Sequence, residues 1–186
     1  GCTLVAWAPA ALAVTTSASG AEYTLTAQKD AAAQDLIYQH QSVNAANAGA
    51  VAVEMGHAYS KLSFLATAGN GYTGAANLTQ VQITGGIYAT GTLNMVDGKV
   101  DPVGTATLTL AAGEKALVIP MAGQPTIAVT CTIDGKEFTA NIKADTMPSL
   151  LAGVEYEITL TVVGQEAVIS SVKEVPWTTT KVDGGT

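Results

Sequence analysis

Few side chains in this 186-residue chain have the type and spacing for chemistry. It carries two histidines, His40 and His57, and two cysteines, Cys2 and Cys131. Neither histidine stands at metal-ligand spacing from Cys, Asp or Glu. A nucleophilic pair of Cys131 with His57 would need an accessible thiol of lowered pKa, whereas Cys131 falls on an alternating strand with its side chain toward the core. Asp97 and Asp101 flank a turn, but two carboxylates fall short of the roughly six to eight oxygens that calcium takes. A nucleophile elbow and a phosphate-cradling Gly-Lys loop are both missing. The expectation is therefore no catalytic residue, no metal, no cofactor, and a protein that is not an enzyme. Trp7, Tyr72 and Trp177 are the aromatic side chains able to offer a sugar a platform, although tryptophan in a strand ordinarily packs. Lys61, Lys143 and Asn141 have the residue types of a side-chain isopeptide crosslink, and a Cys2–Cys131 disulfide would join distant parts of the chain.

Composition narrows the classes further. Hydrophobic residues make up 48% and charged residues 12%, which excludes a disordered chain. The net charge is -7 and all positive charges are lysine, so nucleic acid and anionic membrane surfaces have no electrostatic partner here. Without arginine, bidentate recognition of phosphate or carboxylate is also absent. No apolar run approaches the ~18 residues of a spanning helix. The opening GCTLVAWAPAALAVTTSASGA imitates a signal peptide, but it lacks a basic start and holds Pro9 inside its apolar part. Gly1-Cys2 resembles the end of a lipoprotein cleavage box, yet Thr3-Leu4-Val5 leads straight into a strand.

The elements that would position any site read as strands. Leu4 to Ala8 is a short strand closed by Pro9, and Tyr23, Leu25 and Ala27 alternate with polar neighbours. Lys29 to Gln34 suits one helical turn capped by Asp30, and His40 to Gly49 reads as a loop. The strongest strand signal is Ala50 to Ala66, where Val51, Val53 and Met55 alternate and the apolar phase then moves to Ala58, Leu62 and Phe64. A bulge at Gly56-His57 in one long bent strand accounts for that change of phase. Val81 and Ile83 form a strand ended by Gly85-Gly86.

Three hairpins follow. Asp97-Gly98 as a two-residue turn pairs Val96 with Lys99, Met95 with Val100 and Leu93 with Pro102. Asp134-Gly135 pairs Cys131 with Phe138, Val129 with Ala140 and Ile127 with Ile142. Gly164-Gln165 opposes Val162 to Ala167 and Leu160 to Ile169, but the return strand loses its alternation past Ser170. Strands spaced by about ten residues between Gly, Asp and Asn turns indicate antiparallel sandwiches. Two are expected, residues 1–86 and 87–186, with the junction at the glycine pair.

Several of these pieces, in order, resemble the fimbrillin-like family, the structural subunits of type V pili in gut and oral Gram-negative anaerobes. Leu4-Val5-Ala6-Trp7-Ala8-Pro9 is similar to the family's aromatic "AY-x-P" strand, and Asp35-Leu36-Ile37-Tyr38 and His57-Ala58-Tyr59-Ser60-Lys61-Leu62 to its next segments, the latter to "HA-x-SK". Val81-Gln82-Ile83-Thr84-Gly85 with Gly91-Thr92-Leu93-Asn94 and Asp97-Gly98 resembles the passage between its two domains. Ile133 to Phe138, Leu151 to Tyr156, and Val175-Pro176-Trp177 resemble its later hairpins and closing strand. The resemblance implies two transthyretin-like Greek-key β-sandwich domains in tandem, the first lacking its N-terminal part because the chain starts at the "AY-x-P" motif. It also implies export as a lipoprotein precursor to the outer membrane and cell surface, and assembly by β-strand complementation after proteolysis.

The expected function is thus a structural or adhesive pilus subunit. Its partners would be other subunits, met through edge residues Val175 and Trp177, and a host surface protein or glycan, with no nucleic acid and no membrane span. The alternative is a surface carbohydrate- or protein-binding module that never polymerises, which an exposed tryptophan platform would favour. Gly56 and His57 are expected to be structural. With a positive φ at Gly56, Gly56→Val would destabilise the protein by roughly 1 to 3 kcal/mol in chemical denaturation.

Overall fold

The computed structural model describes residues 2–18, 20–44, 46, 51–123, 126–177 and 180–182. Gly1, and Ala45 and residues 47–50 of the expected loop and strand start, lie outside the described residues, as does part of the tail beyond Trp177. Among the described residues every regular element is a β-strand, so the protein is all-β as its alternating sequence requires.

Two sheets enclose a first core. One runs in the order β1 (Cys2–Ala8), β5 (Ile37–Val43), β6 (Val53–His57), β19 (Thr180–Val182), and the other β10 (Val100–Val103), β9 (Thr90–Asn94), β3 (Gly20–Thr26), β2 (Thr15–Ser17). Leu25, Leu36, Tyr59, Leu93, Met95, Leu117 and Ile119 are buried between them. A second core lies between the sheet β11 (Ala106–Ala111), β8 (Leu78–Ile87), β14 (Ile127–Ile133), β15 (Lys136–Ile142) and the sheet β18 (Glu166–Pro176), β17 (Val154–Val163), β7 (Ser60–Ala68), β12 (Ala116–Val118), β4 (Gln28–Lys29). A small ribbon of β13 (Met121–Ala122) and β16 (Ser149–Leu150) completes the set. β7 and β17 run parallel to one another.

Local chemistry explains the best-defined hairpins. Asp134 and Gly135 both have positive φ, 49° and 75°, as a type I′ turn demands. Cys131 then faces Phe138, Val129 faces Ala140, and Ile127 faces Ile142, as expected. The turn after Val163 also gives the expected pairs, Val162 with Ala167 and Leu160 with Ile169. Register slips between Thr159 and Leu160, where the Ser170 hydroxyl donates to the Thr159 carbonyl at 3.2 Å and accepts from Thr161 Oγ1 at 2.7 Å. That slip is why alternation fails past Ser170.

Several expectations are corrected. Val100 pairs with Leu93 rather than Met95, because the turn around Asp97-Gly98 is wider than two residues. Asn94 Oδ1 accepts the Val96 N–H and Asp97 Oδ1 the Lys99 N–H, both at 2.9 Å, and Met95 is released to bury completely. Residues 29–34 form a strand end and a turn, Gln34 N–H to Ala31 carbonyl at 2.9 Å, with no helical segment. His40 belongs to β5, since pairing with β1 carries that strand to Val43.

The fourth correction concerns the bent strand. Gly56 pairs with Tyr38 and His57 with Ile37 in unbroken register, and Gly56 does not have positive φ. The chain instead leaves the first sheet after His57, bends at Ala58-Tyr59, and enters a different sheet as β7. The change of phase therefore marks a change of sheet, and the rationale for strain at Gly56 disappears.

The bulge lies elsewhere. β8 runs through Gly85-Gly86, with Gly86 at φ 83° and register shifts toward both neighbouring strands. The two cores do not divide there: β7 and the part of β8 before the pair pack in the second core, whereas β9 and β10 follow it and join the sheet of β3. At the opposite end of β8 the connection after β7 is tied down by Asp134, whose carboxylate accepts from the Tyr72 hydroxyl at 2.6 Å and from the N–H groups of Ala76 and Asn77. These bonds, Tyr72 foremost, hold Asp134 below the usual carboxylate range.

Two predictions follow from these positions. A Cβ at Gly86 would lie 2.3 Å from the Thr126 carbonyl oxygen, while one at Gly56 meets nothing within 4 Å. Gly86→Ala should lose about 2 kcal/mol or more in urea denaturation, and Gly56→Ala should stay within about 0.5 kcal/mol of wild type. For Asp134 the folded pKa is depressed, so its contribution is present above the unfolded carboxylate pKa and is lost as pH falls through the folded value. Amide exchange at Ala76 and Asn77 should accelerate over that acidic window, and Asp134→Ala should abolish the effect.

Candidate functional site

The polar clusters expected from sequence do not converge on a reactive centre. Asp97 binds the turn backbone, while Asp101 pairs with Lys99 at 2.9 Å. Among the described residues no group of three or more His, Cys, Asp or Glu is placed to hold a metal ion. Cys131 is fully buried, and burial pushes its thiol up to about 11. Cys2 is exposed, and neither cysteine is in a disulfide. Tyr72 is engaged with Asp134. Lys143 and Asn141 lie at the end of β15 while Lys61 meets a carboxylate elsewhere, so the three crosslink candidates are not brought together.

His57 and Trp177 do come together. Their rings stack with centroids 3.7 Å apart and planes 12° from parallel, and Lys61 Nζ lies 3.6 Å from the centroid of the same indole. His57 Nδ1 meets Asp35 Oδ2 at 2.8 Å, with both side chains largely buried, and Lys61 Nζ meets Asp30 at 2.7 Å. Trp177 N–H donates to the Gly153 carbonyl at 3.2 Å. His57 belongs to β6 of the first core and Lys61 to β7 of the second, so the indole clamps the point where the chain crosses between them. Beside Lys61 in the parallel register is Glu155, paired with Lys115 at 2.6 Å. Stacking, cation–π attraction and charge-assisted hydrogen bonds together make this a structural clamp.

Sequence reasoning expected His57 to be structural, and it missed Asp35, Asp30 and Gly153. Asp35 is 22 residues from His57, so no local spacing could signal the pair. Val175 sits on β18, which is an edge strand, paired to Glu155. Trp177 is half-buried with its ring occupied in the clamp; a free tryptophan edge is not available there.

The remaining feature is an opening between β1 and β2, the two neighbouring edges of the first pair of sheets. A groove of about 500 Å³ is lined by Val5, Trp7, Ala21 and Val96, with Thr3 and Thr16 at its rim. Trp7 therefore faces a groove rather than standing as a loop platform. β19 covers the opposite edge of the same sheet, pairing Thr180 with Met55 and Val182 with Val53.

This architecture is that of an all-β protein built on two sheet-enclosed cores. The chain belongs to the fimbrillin-like family, whose model matches residues 1–177. Its backbone is similar to that of a candidate cell adhesion protein from Bacteroides uniformis ATCC 8492, with a TM-score of 0.73 at 24% identity over 95% of this chain and 72% of that one. A candidate cell adhesion protein from Bacteroides ovatus ATCC 8483 gives a TM-score of 0.66 at 18% identity over 95% of this chain and 68% of the other. No curated protein matches the sequence.

Truncating the clamp should be costly. Trp177→Ala is expected to destabilise the protein by about 2 to 4 kcal/mol in chemical denaturation, with Trp177→Phe losing less than half as much.

Proposed function

We propose that the chain is a structural subunit of a cell-surface pilus, exported as a lipoprotein precursor and assembled through its sheet edges by strand addition. The observation that carries this reading is the open groove between β1 and β2, in which Val5, Trp7, Ala21 and Val96 stand beside Thr3, Thr16 and Ser17. Two strand edges beside apolar side chains match the requirements of strand addition: the edges offer backbone hydrogen bonds, and pockets take alternate side chains. Membership of the fimbrillin-like family supports it, as does the likeness to proteins associated with cell adhesion. The edge of β18 with Val175 is a further candidate contact between subunits. Stable packing and edge pairing, rather than turnover, are then the protein's work, and the clamp at Trp177 serves it by holding the two cores in one geometry.

The test uses a labelled peptide of residues 177–186 and a scrambled counterpart. The native peptide should bind the full chain saturably and slow amide exchange along a sheet edge, and Val5→Glu in the groove should weaken that binding. A native peptide that binds no better than the scrambled one would rule out exchange of this segment.

A further inference from the structure

A second concavity lies on the outer face of the other pair of sheets. It is a trough of about 680 Å³ lined by Gln82, Thr130, Glu137, Thr139, Gln165 and Glu166, with the largely buried Phe138 and Ala167 beneath them. Pairing aligns it: Gln82 on β8 faces Thr130 on β14, which faces Thr139 on β15. Three uncharged hydrogen-bonding side chains thus cross the sheet in one row, at the ~4.8 Å spacing of adjacent strands. The turn between β17 and β18 closes one side with Gln165 and Glu166. Within the described residues none of these six side chains is engaged in a hydrogen bond or ion pair, so their donors and acceptors face solvent.

We propose that this trough is a binding site for a neutral saccharide. Amides and hydroxyls both donate and accept, which suits the paired donor and acceptor character of sugar hydroxyls. Glu137 and Glu166 add two acceptors. A volume of this size is in the ordinary range of ligand clefts. The carboxylates also set specificity. With no cation in the lining, no arginine in the chain and a net charge of -7, an anionic sugar meets repulsion without compensation. Neutral glycans are therefore taken and sialylated ones rejected.

This inference rests on the cell-surface location in the proposed function and not on strand exchange. The full chain is applied to an array of neutral oligosaccharides and their sialylated counterparts, and the strongest neutral glycan is then titrated by calorimetry. Saturable binding is expected, weakened at least about tenfold by Gln82→Ala and by Thr139→Val, with sialylation of the same glycan abolishing it. Both variants are at exposed positions, and unchanged circular dichroism and melting verify their folding. The proposal is overturned by an array without neutral binding, by equal binding of sialylated forms, or by variants that bind as wild type. Because the edge-binding peptide is measured separately, its binding to both variants would persist if only the saccharide site were wrong, and its failure would leave the saccharide result standing.

Discussion

The structure depends on one constraint: between His57 and Leu62 the chain must pass from one core to another without leaving polar backbone unpaired. Tyr59 meets that constraint. It is fully buried in the first core, its hydroxyl accepts from Thr26 N–H at 3.1 Å and Gln28 Nε2 at 3.2 Å, and its carbonyl accepts from Gly153 N–H. Burial raises its phenol to about 12, leaving it neutral and able to donate as well. Three residues later Leu62 is in the second core. Each bond satisfies a group that burial would otherwise penalise.

The clamp builds on that crossing. Lys61 is buried at 8% exposure, a costly position for an ammonium unless it is paired. Asp30 and the Trp177 ring provide the pairing, and His57, oriented by Asp35, supplies the surface on which the indole lies. Beyond β18, which ends at Pro176, the chain thereby returns to β6, with which β19 pairs. A histidine that looked like a possible reactive group is a packing element, and the chemistry of the protein moves to its surfaces: an apolar opening between strand edges and a polar trough across a sheet.

Those two surfaces suit different kinds of contact. The opening beside β1 exposes apolar side chains next to unpaired backbone, a combination that natural sheets otherwise avoid. The trough exposes amides, hydroxyls and carboxylates across β8, β14 and β15, of which β8 and β14 are paired on both sides. Strand addition suits the first and a small hydroxylated ligand the second, and the two lie on different sheet pairs, so neither use obstructs the other.

The sequence by itself determined the strongly alternating strands, the Asp134-Gly135 and Gly164-Gln165 registers and the all-β class, since alternation and tight turns are properties of neighbouring residues. The same alternation, with the Asp134-Gly135 register, put Cys131 in the core. Only the tertiary structure decided which sheet each strand entered. The phase change at Gly56-His57 was legible, but a bulge and a change of sheet leave the same local pattern, and what distinguished them was the pairing of β7 with β17, more than ninety positions away in places. Gly85-Gly86 likewise signalled a break without revealing a bulge within one strand. The partners of His57 and Trp177, and the alignment of Gln82, Thr130 and Thr139, come from non-local pairing, which no short window of sequence encodes.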